Sequence, residues 1–410
     1  MSPVRSPAID LAGPPQAAPA PSPALTLLFA CAVAIIVTNV FAPQTLVGLI
    51  ATDLGLGEAA AGLVAMATLI GYAGGLFLLV PLADLVENRR LVLRMLAAAV
   101  VFAGLAGVAP GAGLLILALV LVGAACSMIQ VLVPLAAAMA PPERRGQVVG
   151  DVMSGLMLGI LLARPLASLV ADTLGWRAFH GLTGLAMALL WPVLALRLPP
   201  RQPAGSARYG GLIASLGKLL AREPVLRWRA LTAALSMAAF SLFWTAIAFR
   251  LAAAPFDLGQ RGIAVFALVG AAGAAVAPMV GRLGDRGLTR ATTIASHLLI
   301  IAGFGLAACA GRAGAAGPMP MLVAMGLAAV LLDIGVTGDQ TLGRRAVNML
   351  DEAARGRLNG LFVGLFFLGG ALGAGLAGLA WSLGGWLLIT VLGAAFGFAA
   401  LVVDAVAPRT

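Results

Sequence analysis

Twelve stretches of this chain run for about twenty residues or more with almost no charge, and that limits the folds open to it. A helix needs about 20 mostly apolar residues to cross the hydrocarbon core of a bilayer. The stretches are 24–50, 58–82, 91–109, 112–139, 147–171, 177–196, 229–253, 260–281, 291–311, 318–341, 356–381 and 385–407. Composition agrees with them: 61% of the 410 residues are hydrophobic and 10% charged, against roughly a quarter charged in a soluble domain. Water cannot solvate so much apolar surface. The expected fold is an all-α membrane protein with twelve transmembrane helices.

The 52 glycines suit a bundle, because small residues let helices approach where lipid supplies no hydrophobic force between them. The formal net charge of +10 is not the footprint of a nucleic-acid binder, since no aromatic-basic surface is available to stack bases. The basic residues instead fall in the breaks between apolar runs, where they encode orientation. With the N-terminus placed in the cytoplasm, 21 of the 26 fall on the cytoplasmic side. Four, Arg177, Arg250, Arg261 and Arg312, fall on the other side, and Arg164 lies inside a span. This alternation predicts an even number of spans with both termini cytoplasmic.

The three cysteines, Cys31, Cys126 and Cys309, all sit in apolar runs. With two histidines, His180 and His297, they suggest neither a disulfide framework nor a metal site. Residues 1–23 lack the basic start and apolar core of a signal peptide and are expected to be a disordered cytoplasmic tail. A basic linker at 198–228 divides the rest into six-span halves, 24–197 and 229–410. Leu212, Ile213, Leu216, Leu219 and Leu220 recur in it at helical spacing, which predicts a helix lying on the membrane surface.

The halves share landmarks. Asp84 follows span two and Asp285 follows span eight, 201 residues later. Arg145-Gly146 and Arg355-Gly356 precede spans five and eleven, 210 residues apart, as are Gly175-Trp176 and Gly385-Trp386 at the openings of spans six and twelve. Matching positions in a six-span period indicate a duplicated bundle, an architecture of rocking transporters.

"GRLGDRGLTR", from Gly281 to Arg290, closely resembles the G-x-L-x-D-R-x-x-x-R loop motif of the major facilitator superfamily, and the resemblance extends over nearly the whole chain. Gly281, Leu283, Asp285, Arg286 and Arg290 are in register. "VPLADLVENRR" is the N-half copy. Leu82, Asp84 and Arg89 match there, while Val80, Leu85 and Glu87 depart. "GLMLGILLARPLASL" resembles the antiporter signature of span five at Pro165 but departs at Arg164, Ser168 and Leu169. "LLDIGVTGDQ" and "RGRLNGLFVGLFFLGGALG" are similar to bacterial sugar- and drug-efflux-like permeases. The resemblance implies two pseudo-symmetric six-helix bundles in a bacterial inner membrane, with spans one, four, seven and ten lining a cavity.

Polar groups inside spans are costly and are therefore the candidates for function. Asp333, about fifteen residues into span ten, can take up and release protons, or can be an acid paired for structure. Asp339 reads as a solvated acid at the edge of a loop. Arg164 can neutralise an anionic substrate or hold a partner acid, and a structural ion pair is the alternative. Asn39, Gln44, Gln130, Ser241, Trp244 and Thr245 lie on helices that the resemblance assigns to the cavity, and each can equally serve packing or interhelical hydrogen bonding. His180 and His297 read as structural. Near a helix C-terminus, where the dipole disfavours an anion, Asp84 needs a positive partner. The resemblance implies the start of span eleven, near Arg357, Asn359 and Gly360, as a latch of the outward-facing state. Glu87 pairs locally with Arg90, and Arg89, Arg90, Arg286 and Arg290 belong to the gating loops.

Many antiporters of the family carry an acid in span one or four and an arginine early in span four. This chain has neither, which leaves Asp333 as the central acid for proton coupling. The expected activity is secondary active transport by a monomer, most simply proton-coupled efflux of a small lipophilic or amphipathic compound, because the cavity helices are poor in charge. The alternatives are a uniporter, a proton-symport importer, or a non-transporting receptor. With no P-loop lysine and no cluster of catalytic groups, neither ATP drive, a cofactor nor an enzyme is expected.

Overall fold

A computed structural model describes residues 23–203, 208–270, 273, 276–311, 317–352 and 354–407. Apart from Pro23, which opens the first helix, the tail expected at 1–23 lies outside the described residues, as do Arg5, Arg312 and Arg409.

Among the described residues, ten helices are each long and apolar enough to cross a membrane, and twelve crossings arise because three expected spans depart from that simple form. Spans eleven and twelve run together as Arg355–Val406, divided at Gly385. Span eight is broken into Gln260–Ala267, a short turn at Leu268–Gly270, and Ala277–Asp285. The others are span one (Pro23–Phe41 and Pro43–Asp53), span two (Glu58–Leu78), span three (Asn88–Gly107), span four (Ala112–Cys126 and Ile129–Met139), span five (Arg145–Leu174) and span six (Trp176–Arg197). In the second half follow span seven (Pro224–Ala252), span nine (Thr289–Ala310) and span ten (Pro318–Asn348). The break in span one falls at Pro43, whose ring excludes an N–H from the helical ladder.

The repeated Gly-Trp landmark has a structural cause. Gly175 (φ 84°) and Gly385 (φ 56°) adopt positive φ, a conformation that costs glycine little, and each reverses the chain into the next span. The tryptophan then anchors the turn: the Trp176 Nε1–H donates to Asp53 Oδ2 at 3.2 Å, and the Trp386 Nε1–H donates to the Ala307 carbonyl at 2.8 Å.

Both described chain ends lie on one face, called here the terminal face; the other is the distal face. The bundles meet mainly where span two packs along span eleven, where the first piece of span eight packs on span five, and where the second piece of span one meets span seven. Glycine makes the span two–eleven seam possible. A Cβ on Gly62 would lie 2.5 Å from the Ala374 carbonyl oxygen, and one on Gly378 2.4 Å from that of Glu58. On the distal face Arg261 Nε donates across the interface to Asp172 Oδ2 at 2.6 Å. The terminal piece of span eight, by contrast, packs within its own bundle against spans nine and ten. This conformation is therefore closed on the distal side.

Among the described residues, the distal arginines that run against the charge rule, Arg177, Arg250 and Arg261, are each committed. Arg177 pairs with Asp53. Arg250 donates to the carbonyls of Ala254 at 2.7 Å and Gly311 at 2.9 Å.

The linker carries a helix, Tyr209–Arg222. Its apolar stripe is turned partly onto protein, with Leu212 and Leu216 buried. The Tyr209 hydroxyl donates to the Leu78 carbonyl at the end of span two (2.8 Å), and Arg357 at the start of span eleven donates to Ser215 Oγ (3.1 Å). The helix thus braces the terminal ends of both bundles.

Candidate functional site

Four of the sequence candidates converge at the bundle interface. Arg164 sits one residue before Pro165 in span five, 4% exposed. Its Nε and Nη2 donate to Gln44 Oε1 at 3.0 and 2.9 Å. The guanidinium reaches across the interface and lies 4.4 Å from the centre of the Trp244 ring, 5.0 Å from Phe240 and 5.6 Å from Phe41. A cation against aromatic faces gains about 2 kcal/mol or more when water is excluded. On its other edge, the Trp244 indole N–H donates to Asp333 Oδ1 at 2.9 Å. Asp333 is 5% exposed and lies within the electrostatic reach of Arg164.

The cluster therefore sets a cation of one bundle against the face of an indole whose N–H holds an acid of the other. Gln44 orients the cation from within its own bundle. Trp244 contacts both charges, so its position reports their separation.

Span eight encloses the acid. A Cβ on Gly270 would lie 2.9 Å from Asp333 Oδ2, and one on Gly273 would lie 2.2 Å from the Asp333 Cβ. Only a backbone without side chains fits so close. Sequence reading missed these two glycines; the signal was a run of six small residues from Gly270 to Ala275, with glycine at its first and fourth positions.

The remaining cavity candidates are placed elsewhere. Asn39 Nδ2 donates to Met187 Sδ of span six at 3.8 Å. Gln130 Nε2 donates to the Tyr72 hydroxyl at 3.4 Å. Ser241 is buried facing span eleven, where a Cβ on Gly370 would come 3.1 Å from its hydroxyl. Thr245 is fully buried, and its hydroxyl has no hydrogen-bond partner among the described residues.

In the loop motifs, Asp285 pairs with Arg345 at the end of span ten, 2.6 Å away, and Gly284 leaves room for that guanidinium. Arg345 was not among the sequence candidates. Arg286 and Arg290 are exposed. Glu87 pairs with Arg90 at 2.8 Å, and Arg89 donates to the Ala195 carbonyl. In this conformation Arg357, at the start of span eleven, donates to Ser215 Oγ, and among the described residues it forms no ion pair with Asp84.

Asp339 corrects its sequence reading. It is not a solvated loop-edge acid but fully buried, because span ten stays helical to Asn348. His297 Nε2 lies 3.2 Å from Asp339 Oδ1, and the Ser236 hydroxyl donates to Oδ2 at 3.0 Å. A histidine and an acid inside neighbouring apolar spans were the available signal, since groups buried in a membrane need partners.

Two duplicated six-helix bundles with opposed charges held between them define a membrane transport protein. The chain matches the Major Facilitator Superfamily over residues 27–339. It is 35% identical over 382 residues to "Uncharacterized transporter YgaY" of Escherichia coli O157:H7, covering 93% of this chain and 95% of that protein. It is 31% identical over 362 residues to "Probable transporter SCO4007" of Streptomyces coelicolor, covering 88% and 82%. The chain belongs to the major facilitator superfamily. Its fold is similar to crystal structures of the nucleoside transporter NupG (TM-score 0.74, 13% identity, covering 94% of this chain and 100% of that one) and the peptide transporter POT (TM-score 0.70, 17% identity, covering 94% and 93%).

Proposed function

We propose that the protein is a proton-coupled exporter of a small lipophilic or amphipathic compound. It works by alternating access as a monomer, in a bacterial inner membrane with both chain ends cytoplasmic. The observation that carries this reading is the Arg164–Trp244–Asp333 arrangement across the bundle interface. Rocking of the bundles changes the separation of the two charges. When Arg164 moves away, the Asp333 carboxylate is left in a low-dielectric site without its countercharge, and a proton takes that place. When Arg164 returns, the proton is released. The proton gradient is coupled to the conformational cycle by this exchange.

The aromatic faces of Phe41, Phe240 and Trp244 support the substrate class. They bind the guanidinium of Arg164 in the closed arrangement, and the same surface suits an apolar or cationic compound that displaces it. The relatives in two bacteria and the excess of basic residues on one side support the location and orientation.

The test begins with a compound found by screening a deletion strain for altered tolerance. Its flux is then followed in proteoliposomes together with proton movement. Asp333→Asn is expected to abolish proton-driven flux while leaving exchange of the compound down its own gradient. Unchanged compound-driven proton movement in Asp333→Asn removes Asp333 from the mechanism.

Import by uniport or proton symport is the second reading. The opposite charges of Arg164 and Asp333 favour it for a zwitterionic solute, and the fold is shared with proteins named for nucleoside and peptide transport. The direction of gradient-driven flux in the same vesicles separates the two.

A further inference from the structure

Spans seven and ten are joined by two side-chain rungs. In one, Trp244 donates to Asp333. In the other, Ser236 donates to Asp339. Six residues separate the two acids along span ten, about 9 Å at the rise of an α-helix. The first rung faces the opposite bundle through Arg164. The second faces span nine through His297 and takes no part in the scheme above.

The second rung is a built site. Both side chains of the His297–Asp339 pair have no exposed surface. Spans nine and ten approach to backbone contact beside it: a Cβ on Gly335 would lie 2.5 Å from the Ser296 carbonyl oxygen, and one on Gly338 would lie 2.2 Å from the Ser296 hydroxyl. These two glycines set the distance across which His297 meets Asp339.

The charges around it do not neutralise the pair. Among the described residues, His297 is the one basic side chain within ion-pairing distance of Asp339. On the packed elements, Arg229 of span seven is engaged by Asp404 of span twelve at 2.9 Å. Arg345 is engaged by Asp285, and Asp333 by Trp244. The Nε of Arg344 in span ten has no hydrogen-bond partner among the described residues, while Arg250 is spent on backbone carbonyls. Arg282 and Arg290 are exposed, and Arg357 is held by Ser215.

Proton counting then decides the state. With neutral imidazole donating from Nε2, the carboxylate accepts two hydrogen bonds and the site carries one buried negative charge. His297 Nδ1 has no hydrogen-bond partner among the described residues and is free to accept a proton. One added proton, on the imidazole or on the carboxyl, removes the net charge, and a buried net charge is far more costly than a neutral pair.

We propose that His297, Asp339 and Ser236 form a second proton-binding site, which holds one exchangeable proton and lies on the terminal side of Asp333. It rests on the proton-coupled reading for its use in transport, though not for its existence. Because Ser236 and Trp244 share one helix and the two acids share another, a shift between spans seven and ten alters both sites together. The site is then the station through which the proton of Asp333 passes to or from the terminal face.

The test is nuclear magnetic resonance of isotope-labelled histidine in the full-length purified protein. The chain has two histidines, so His180→Gln assigns the signals. The His297 imidazole signals are expected to report the binding of one proton as a transition across the pH range in which the protein stays folded. Asp339→Asn is expected to lose that transition. Ser236→Ala, the milder variant, is expected to displace its midpoint by about one pH unit, the size of one hydrogen bond to a charged group. Asp333→Asn is expected to leave a transition at His297. Imidazole signals that stay constant across the range in the protein with native His297, Asp339 and Ser236 overturn the proposal, even if Asp333 proves to couple transport. A one-proton transition in a protein whose flux is not proton-driven upholds the site and removes the coupling.

Discussion

Gly378→Ala tests whether the distal seam sets the conformational balance. In the closed arrangement the added methyl would lie 2.4 Å from the Glu58 carbonyl oxygen, 2.8 Å from the Gly62 amide nitrogen and 2.9 Å from the Ala59 carbonyl oxygen. All three are backbone atoms, so no side chain can swing aside. Ordinary contact begins near 3.4 Å, and spans two and eleven must part there by about 1 Å. Overpacking of this kind costs about 1–3 kcal/mol. The cost falls on the distally closed state and not on a state in which the seam has opened. The populations are therefore expected to move about 5- to 150-fold toward distal opening. Double electron–electron resonance reads this directly, with spin labels at the exposed positions Thr52 and Ser382 in a background lacking the three cysteines. Gly74→Ala is the control, because a Cβ on Gly74 of span two meets nothing within 4 Å. A distance distribution for Gly378→Ala indistinguishable from that of Gly74→Ala, in protein of normal thermal stability, would refute the reasoning.

Three further outcomes are expected. Trp244→Phe keeps an aromatic face for Arg164 but removes the donor to Asp333; it is expected to lower stability by about 1.5–3 kcal/mol, and Trp244→Leu by about 2 kcal/mol more through the lost cation–π contact, both read by denaturant unfolding in detergent. Arg164→Lys loses the two-nitrogen grip on Gln44 and the planar stacking that a point charge cannot reproduce; proton-driven flux in proteoliposomes is expected to fall at least about tenfold. Gly385→Ala meets no atom within 4 Å but forces a side chain to φ 56°, ψ −148°; it is expected to cost about 1–3 kcal/mol of unfolding free energy without moving the spin-label distances.

Much of the architecture is legible without coordinates. The twelve apolar stretches follow from the cost of placing polar groups in hydrocarbon, and the one-sided arginines follow from the charge rule. The Gly-Trp landmarks disclosed the duplication, because a chain reversal needs glycine wherever it recurs. Asp333 and Arg164 were candidates by being charged inside spans, and Gln44 and Trp244 because the family resemblance assigns their helices to the cavity.

What the order of residues left open is which of these groups meet. In water, an amphipathic period tells a helix which face is buried. In lipid the outward face is apolar as well, so a span can carry leucine all round and say nothing of its orientation. Arg164 and Trp244 lie 80 residues apart on different bundles, and no periodicity joins them. Asn39, equally polar and on a helix assigned to the cavity, turned toward span six. Asp339 read as a loop acid because the apolar run thins before the helix ends. The sequence by itself determined what must lie in the membrane and how often the chain crosses, and it offered Asp333, Arg164, Gln44 and Trp244 as candidates. The tertiary structure decided the partners, since they depend on how six-helix bundles rotate and press together through backbone contacts at glycine.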